Sequence, residues 1–280
     1  MATPIGNLAD LTLRAIHVLA LVDAVACEDT RVTAGLLRHL GLDKPLIALH
    51  QHNEMQAGAL VLQRLAQGQR MAYVSDAGTP AVSDPGAALV ALVAAAGCRV
   101  LPIPGASSAL AALSVAGDAR SSGFEFIGFL PARGAERAAA LRRLGQGTLA
   151  QLLFEAPHRI EALAGELAAL APLRTLTLCR ELTKQFETVA TLPAAQLPAW
   201  LAADANRQRG EFVLVLHAPP PVEAASDGLP AAVLDMLAVL LRELPLKQAV
   251  GLAAELSGAP RNALYQAALQ RKADAADAAE

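Results

Sequence analysis

The chain has 280 residues, 54% of them hydrophobic, and a formal net charge of −3. That length fits two domains, or one large domain with an appendage. Aromatics make up only 3%, which argues against a nucleic-acid surface of stacked rings, and the slight acidity argues against a coat of phosphate-binding Lys and Arg while leaving room for a local basic patch.

Thr3-Pro4-Ile5-Gly6-Asn7-Leu8 reads as a loop leading into a helix over 13–21, capped by Asp10 or Thr12. Val25-Ala26-Cys27 predicts a short strand ending in Glu28-Asp29-Thr30-Arg31, then a helix over 33–40 closed by Gly41. Leu46-Ile47-Ala48-Leu49 predicts the next strand, ending in His50-Gln51-His52-Asn53-Glu54 and followed by a helix over 57–66. The apolar run Met71-Ala72-Tyr73-Val74 then stops abruptly at Ser75-Asp76-Ala77-Gly78-Thr79-Pro80. Gly78 permits close backbone approach, Pro80 and Pro85 stiffen the loop, and Asp76 and Asp84 offer carboxylates to hydroxyls or an amino group. A helix over 87–96, a strand over 99–103, the loop Pro104-Gly105-Ala106-Ser107-Ser108 and a helix over 109–115 complete the pattern. Strand, polar loop and helix in alternation predict a parallel sheet with helical crossovers, and ligands bind at the carboxyl edge of such sheets.

Residues 117–123 are polar and Gly-rich, a linker. Beyond them, strands are predicted over 124–131, 149–154, 175–179, 186–191 and 211–217, with helices over 136–144, 160–170 and 194–203. The later strands follow one another closely, so this half is expected to be a separate mixed-sheet domain of meander type. A second linker over 218–228 is stiff at its prolines and then flexible. Helices over 229–242, 246–256 and 260–270 follow, with a helix-turn-helix look at Ser257-Gly258-Ala259-Pro260. Leu264 and Ala268 are expected to face inward with Leu252 and Leu256, and the Ala- and acid-rich tail 272–280 to be disordered. The expected boundaries are 1–117 and 123–218 for two α/β domains and 229–272 for the helical domain.

Cys27, Cys98 and Cys179 are far apart and odd in number, so neither a metal site nor a disulfide framework is expected, and a reducing cytoplasm fits. The opening Met-Ala-Thr-Pro lacks a basic segment followed by an apolar one, so no signal peptide is expected there. Apolar runs such as 87–97 fall short of the roughly 20 residues that span a bilayer.

The segments TPIGNLADLTLRA, EDTRVTAGLLRHLGL, HQHNE, VSDAGTPAVSDPG, PIPGASSALAALSVAG, FIGFLP, FEAPHRI, RELTKQFET and GEFVLV, in this order, resemble the tetrapyrrole methylase superfamily. Within it they resemble the branch of bacterial 16S ribosomal RNA cytidine 2'-O-methyltransferases. SDAGTP together with EDTR and HNE separates that branch from the porphyrin-modifying relatives. The resemblance runs from Thr3 to about Val215, and the helical tail is similar to the tail domain of the same branch. One departure is that the family begins with an apolar strand just before TPIGN. That first strand is expected to be missing here.

The resemblance implies two α/β domains with S-adenosylmethionine folded in the cleft between them, no metal, a homodimer, and 16S rRNA of the small ribosomal subunit as substrate. It places Asp76, Ala77, Gly78 and Thr79 at the methionine end of the cofactor, with Ser107 and Ser108 beside them. Phe129, Leu130, Glu155 and Ala156 would close the adenosine side, with Phe212 nearby, and Pro4 and Gly6 would floor the cleft. The alternative for the two serines is helix capping. Glu28, Asp29, His52 and Glu54 all sit at strand ends facing the cleft and are candidates for a general base. Each could instead cap a helix or pair with Arg31. Arg31, Arg159, Arg180 and Lys184, with Arg261 in the tail, could hold RNA phosphate, and His158 could stack on a base or equally cap the helix after it. Surface ion pairs are the competing reading for these cations. Two other functions compete: methylation of a small tetrapyrrole by the same fold, and a non-catalytic adaptor working through its helical tail.

Overall fold

The computed structural model describes residues 1–50, 53–220 and 229–277. They form two compact units, Met1–Pro219 and Pro220–Glu280. His52, most of the second linker and the last three residues of the expected disordered tail lie outside the described residues.

The first unit opens with α1 (Leu13–Leu21), whose N-cap Thr12 accepts the Ala15 N–H at 3.2 Å. Then come β1 (Ala24–Cys27), α2 (Thr30–His39), β2 (Leu46–Ala48), α3 (Glu54–Ala66), β3 (Met71–Val74), α4 (Ala87–Ala95) and α5 (Ser108–Ala116). The three strands are parallel in the order β2-β1-β3. Strand β1 reads Ala-Val-Ala-Cys and is buried along its whole length. A strand apolar on both faces belongs in the middle of a helix-covered parallel sheet.

The expected strand over 99–103 is not formed. Its backbone receives the Ala2 N–H on Ile103 O at 3.1 Å, and Val100 and Leu101 are exposed. A strand is a ladder, and one rung does not make one. Beside it, Thr3 bridges to Gly78 just past the end of β3, and the Met1 amino group donates to Tyr73 O at 2.8 Å. Residues 1–3 therefore run along the free side of β3.

The second half of this unit comprises β4 (Phe124–Phe129), α6 (Gly134–Gln146), β5 (Ala150–Glu155), α7 (Ile160–Leu170), β6 (Thr175–Arg180), β7 (Thr188–Pro193), α8 (Leu197–Ala202) and β8 (Phe212–Leu216). The sheet is mixed, as expected, but it is not a meander: its order is β4-β5-β8-β6-β7. The last strand inserts antiparallel between β5 and β6. Its sequence Phe-Val-Leu-Val-Leu is buried at every position, so the centre, covered on both faces, is where it loses most apolar surface to solvent.

Alternation along β5 splits the packing. Leu153 faces a core with α7 and α8, while Ala150 and Leu152 face Ala109, Ala112 and Ala116 of α5. The alanine stripe lets α5 lie close on the second sheet, with Ala112 completely buried. Helix α5 thereby carries the chain from one sheet to the face of the other.

The second unit holds α9 (Ala231–Glu243), α10 (Leu246–Ser257) and α11 (Arg261–Asp277). Leu237, Val250, Ala253, Leu264 and Ala268 form its core. Leu264 and Ala268 face inward as read from the sequence. Leu252 and Leu256 do not: they are 44% and 66% exposed. Helix α10 turns Ala249, Val250 and Ala253 inward instead. Gly258, at φ 68°, closes α10. Helix α11 continues to Asp277, beyond the expected end at 270, because its Ala-rich extension favours helix. Among the described residues, no helix is long and apolar enough to cross a membrane.

Candidate functional site

The loop after β3 is built around two left-handed glycines. Gly78 has φ 79° and pairs both ways with Thr3: its carbonyl accepts the Thr3 N–H at 2.9 Å, and its N–H donates to Thr3 O at 3.1 Å. A Cβ there would sit 3.3 Å from Ile5 Cγ2, so the backbone approach needs glycine. Thr79 Oγ1 donates to Ala106 O at 3.0 Å, tying this loop to the one before α5. Further on, Ala81 and Ser83 take left-handed φ values of 66° and 63° without being glycine. Such residues persist only where surrounding contacts over-determine them. Here the Tyr73 hydroxyl donates to Pro85 O at 2.8 Å, Ala81 N–H donates to the same carbonyl at 3.3 Å, and Gly86 N–H donates to Glu54 Oε1 at 3.3 Å. Gly86, at φ 121°, lies so close to the Tyr73 ring that a Cβ would come within 2.3 Å of Cε1.

This loop forms one wall of a cavity of about 320 Å³, within the size range of small-molecule sites. Ala77, Gly78, Thr79, Val82, Ser83 and Asp84 line that wall, together with Ser107 and Ser108 at the start of α5. Ser107 occupies the N-cap position, yet its hydroxyl makes no capping bond. The opposite wall comes from the ends of β4, β5 and β8: Phe129, Phe154, Glu155, Ala156, Pro157, Glu211, Phe212 and Val213. A register shift between Phe126 and Gly128 turns both Phe126 and Phe129 toward Phe154. Their rings meet it edge-on at 5.1 and 5.6 Å.

Nine residues expected at the cofactor therefore border one cavity: Ala77, Gly78, Thr79, Ser107, Ser108, Phe129, Glu155, Ala156 and Phe212. Four others lie behind it. Asp76 Oδ1 accepts the Asp29 N–H at 2.9 Å, fastening the end of β1. Leu130 is buried in the second core, with its carbonyl accepting from Arg159 at 2.6 Å. Gly6 packs on Thr183 and Lys184 across the unit, and Pro4 precedes Ile5, the neighbour of Gly78. The carboxylate of Glu155 is already engaged. It is fully buried, paired with Arg159 at 3.0 Å, and accepts the Ala156 N–H at 2.9 Å. The sequence reading left Val82, Ser83, Phe154, Pro157, Glu211 and Val213 out of the site, and named Asp84 without placing it there. Phe154, Pro157, Glu211 and Val213 each adjoin a residue that was placed, and Val82, Ser83 and Asp84 lie farther along the loop that holds Thr79.

The base candidates are differently engaged. Asp29 caps α2 through the Arg31 N–H at 2.8 Å and pairs with the Arg31 guanidinium at 2.5 Å, which lowers its pKa to about 2. Glu54 holds Gly86. Glu28 ends β1, and burial, then the charges of Asp76 and Asp84, raise its pKa. None of these three borders the cavity. Burial, with Asp76 beside it, likewise raises the pKa of Asp84.

The cations expected at RNA are mostly committed to their own fold. Arg159 bonds Glu155 and Leu130 O. Arg180 donates to Arg209 O and Phe186 O, and Lys184 bridges Glu181 and Glu211. Arg31 is paired but highly exposed, as are His158 and, in the second unit, Arg261.

The set fits S-adenosylmethionine. The glycine at 78 and the alanines and serines leave room for a ligand backbone, the phenylalanines offer an apolar wall, and the surrounding carboxylates favour a sulfonium cation. Among the described residues, no cluster suited to a metal ion occurs.

The tetrapyrrole (corrin/porphyrin) methylase family matches residues 2–198, and the RsmI C-terminal HTH domain matches residues 227–272. The chain is 46% identical to ribosomal RNA small subunit methyltransferase I of Pseudomonas aeruginosa, over 97% of this chain and 96% of that protein. It is 46% identical to the protein of the same name from Escherichia coli O157:H7, over 96% and 93%. Among solved structures, diphthine synthase superposes with a TM-score of 0.58 at 16% identity, covering 76% of this chain and 87% of that one. Uroporphyrin-III-C-methyltransferase from Thermus thermophilus gives 0.54 at 20%, covering 77% and 91%. These structures share the fold. With a two-walled cavity at the strand ends and matches over nearly its whole length, the chain belongs to the tetrapyrrole methylase family, as a methyltransferase that uses S-adenosylmethionine.

Proposed function

We propose that this enzyme methylates the ribose 2'-hydroxyl of a cytidine in 16S rRNA of the small ribosomal subunit, as a cytoplasmic homodimer. Relatives 43–46% identical bear the name ribosomal RNA small subunit methyltransferase I, which supports an rRNA substrate. The observation that carries the site is the cavity walled on one side by the 77–84 loop and on the other by the ends of β5 and β8. When bound, S-adenosylmethionine supplies the methyl group and a neutral leaving group. Gly78 and Thr79 would hold its methionine end, Ser107 and Ser108 would donate hydroxyls, and Phe129 and Phe212 would flank the adenosine. Alignment of a hydroxyl with the methyl carbon is the main catalytic demand, and proximity supplies about 7–11 kcal/mol of such a barrier. On this reading the chain is organised as 1–117, 123–218 and 229–272, and of the candidate cations Arg31 and Arg261 are the two exposed to phosphate.

Purified protein, small ribosomal subunits and methyl-labelled cofactor test the proposal. Label is expected in 16S rRNA, in a nucleoside whose ribose resists alkaline cleavage. Label on uroporphyrinogen, with none in rRNA, would replace it with the tetrapyrrole reading.

A further inference from the structure

We propose that Asp84 is the proton acceptor of the methyl transfer, held at the cavity by Tyr73 and Glu54. This rests on the ribose-methylation reading above. Three titratable side chains border the cavity among the described residues: Asp84, Glu155 and Glu211. Glu155 has a fully buried side chain and is neutralised by Arg159 at 3.0 Å. Glu211 is largely exposed and paired with Lys184 at 3.1 Å. Asp84 is the one that has no Lys or Arg partner, is half-buried, and sits in the same loop as Gly78.

The loop around it is made for placement. Residues 81 and 83 precede it in left-handed conformations, and the segment after it is tied at Pro85 by the Tyr73 hydroxyl and at Gly86 by Glu54. Ser83 also reaches the second half, where a Cβ on Gly128 would lie 3.2 Å from its Oγ. Strain held this firmly at a cavity wall fixes the carboxylate rather than the chain's stability. The groups that act electrostatically on Asp84 and its surroundings are Asp76, Glu28 and Tyr73, none of them a cation. Burial and Asp76 make Asp84 more basic than an ordinary aspartate, and the Ser75 hydroxyl opposes this in part.

In the step, the ribose 2'-oxygen bonds the methyl carbon as the carbon–sulfur bond breaks and its electron pair stays on sulfur. The hydroxyl proton passes to an Asp84 carboxylate oxygen. The products are the 2'-O-methyl ether, a neutral thioether and a protonated Asp84, which releases its proton to water.

The test compares wild type with Asp84→Asn, reading kcat on small ribosomal subunits and, separately, S-adenosylhomocysteine affinity by calorimetry. Asn is expected to lower kcat about 10²–10⁴-fold, the range of a lost general base. Affinity is expected to stay the same, and the acidic limb of the kcat–pH profile to disappear. If Asp84→Asn fails to fold, Asp84→Ala with added formate serves instead, and formate is expected to restore turnover. A kcat within about threefold of wild type, a surviving acidic limb, a folded Ala variant that formate leaves inactive, or a loss of S-adenosylhomocysteine binding would each overturn the assignment. Wild-type inactivity on the subunits would instead overturn the ribose-methylation reading.

Discussion

At the scale of single residues, steric limits in the loop after β3 decide the cavity's shape. Gly78 combines a left-handed φ with a bridge to Thr3 on both its N–H and its carbonyl, and side chains other than glycine strain that conformation by about 1 kcal/mol or more. Gly78→Val adds bulk toward Ile5, so affinity for S-adenosylhomocysteine should fall at least about tenfold, or ~1.4 kcal/mol. Calorimetric affinity equal to wild type would show that this backbone does not touch the ligand. Tyr73→Phe removes one of the two bonds to Pro85 O and leaves that from the Ala81 N–H, a loss of about 0.5–1.5 kcal/mol. A melting temperature unchanged from wild type would show that the tie is not needed.

Acid sensitivity also resolves to residues. Asp23 pairs with Arg70 at 3.0 Å and accepts the Arg70 N–H at 2.7 Å, and its pKa is lowered to about 2. A carboxyl depressed on folding stabilises above its unfolded pKa, near 3.9, and that contribution is lost as pH falls toward 2. Asp23→Asn should therefore flatten the stability–pH curve between about pH 4 and 2. Parallel curves for variant and wild type in denaturant titrations would remove the pair from acid stability.

At the scale of elements, helix α5 is the joint between the two sheets. Its alanines at 109, 112 and 116 face β5, β6 and β8, and Ala112 has no exposed surface. Ala112→Leu adds three carbons where none fit. Overpacking of this kind costs about 1–3 kcal/mol. Because Ser107 and Ser108 begin the same helix at the cavity, weakened ligand affinity should accompany the stability loss. A stability loss with affinity intact would mean that the helix start moves independently of its packed face.

At the scale of the whole molecule, Met1–Pro219 forms one compact unit that contains the entire cavity. A chain ending at Pro219 should bind S-adenosylhomocysteine as the full chain does. If Arg261 and its neighbours hold phosphate, the shortened chain should capture small subunits less well, and the difference should shrink as salt rises. Equal methylation at low salt would leave the second unit without a part in substrate capture.

The sequence alone determined the elements whose signals are local. The all-apolar run at β1, the abrupt stop after Val74, the Thr12 cap and the Gly78 turn each follow from neighbouring residues, and the cavity loops after β3, β4 and β5 were legible because each lies at a strand end. Tertiary structure decided what depends on partners far away in the chain. Residues 99–103 have strand composition but too little backbone beside them to form a ladder, and β8 enters the sheet centre from the end of the first unit. The same holds for charge. Arg159, Arg180 and Lys184 look alike to Arg31 in sequence, yet Leu130 O, Arg209 O and Glu211, each far along the chain, engage them. Asp84 differs from Asp29, which Arg31 pairs, and from Glu54, which holds the Gly86 N–H, because the folded chain sets it at the cavity wall.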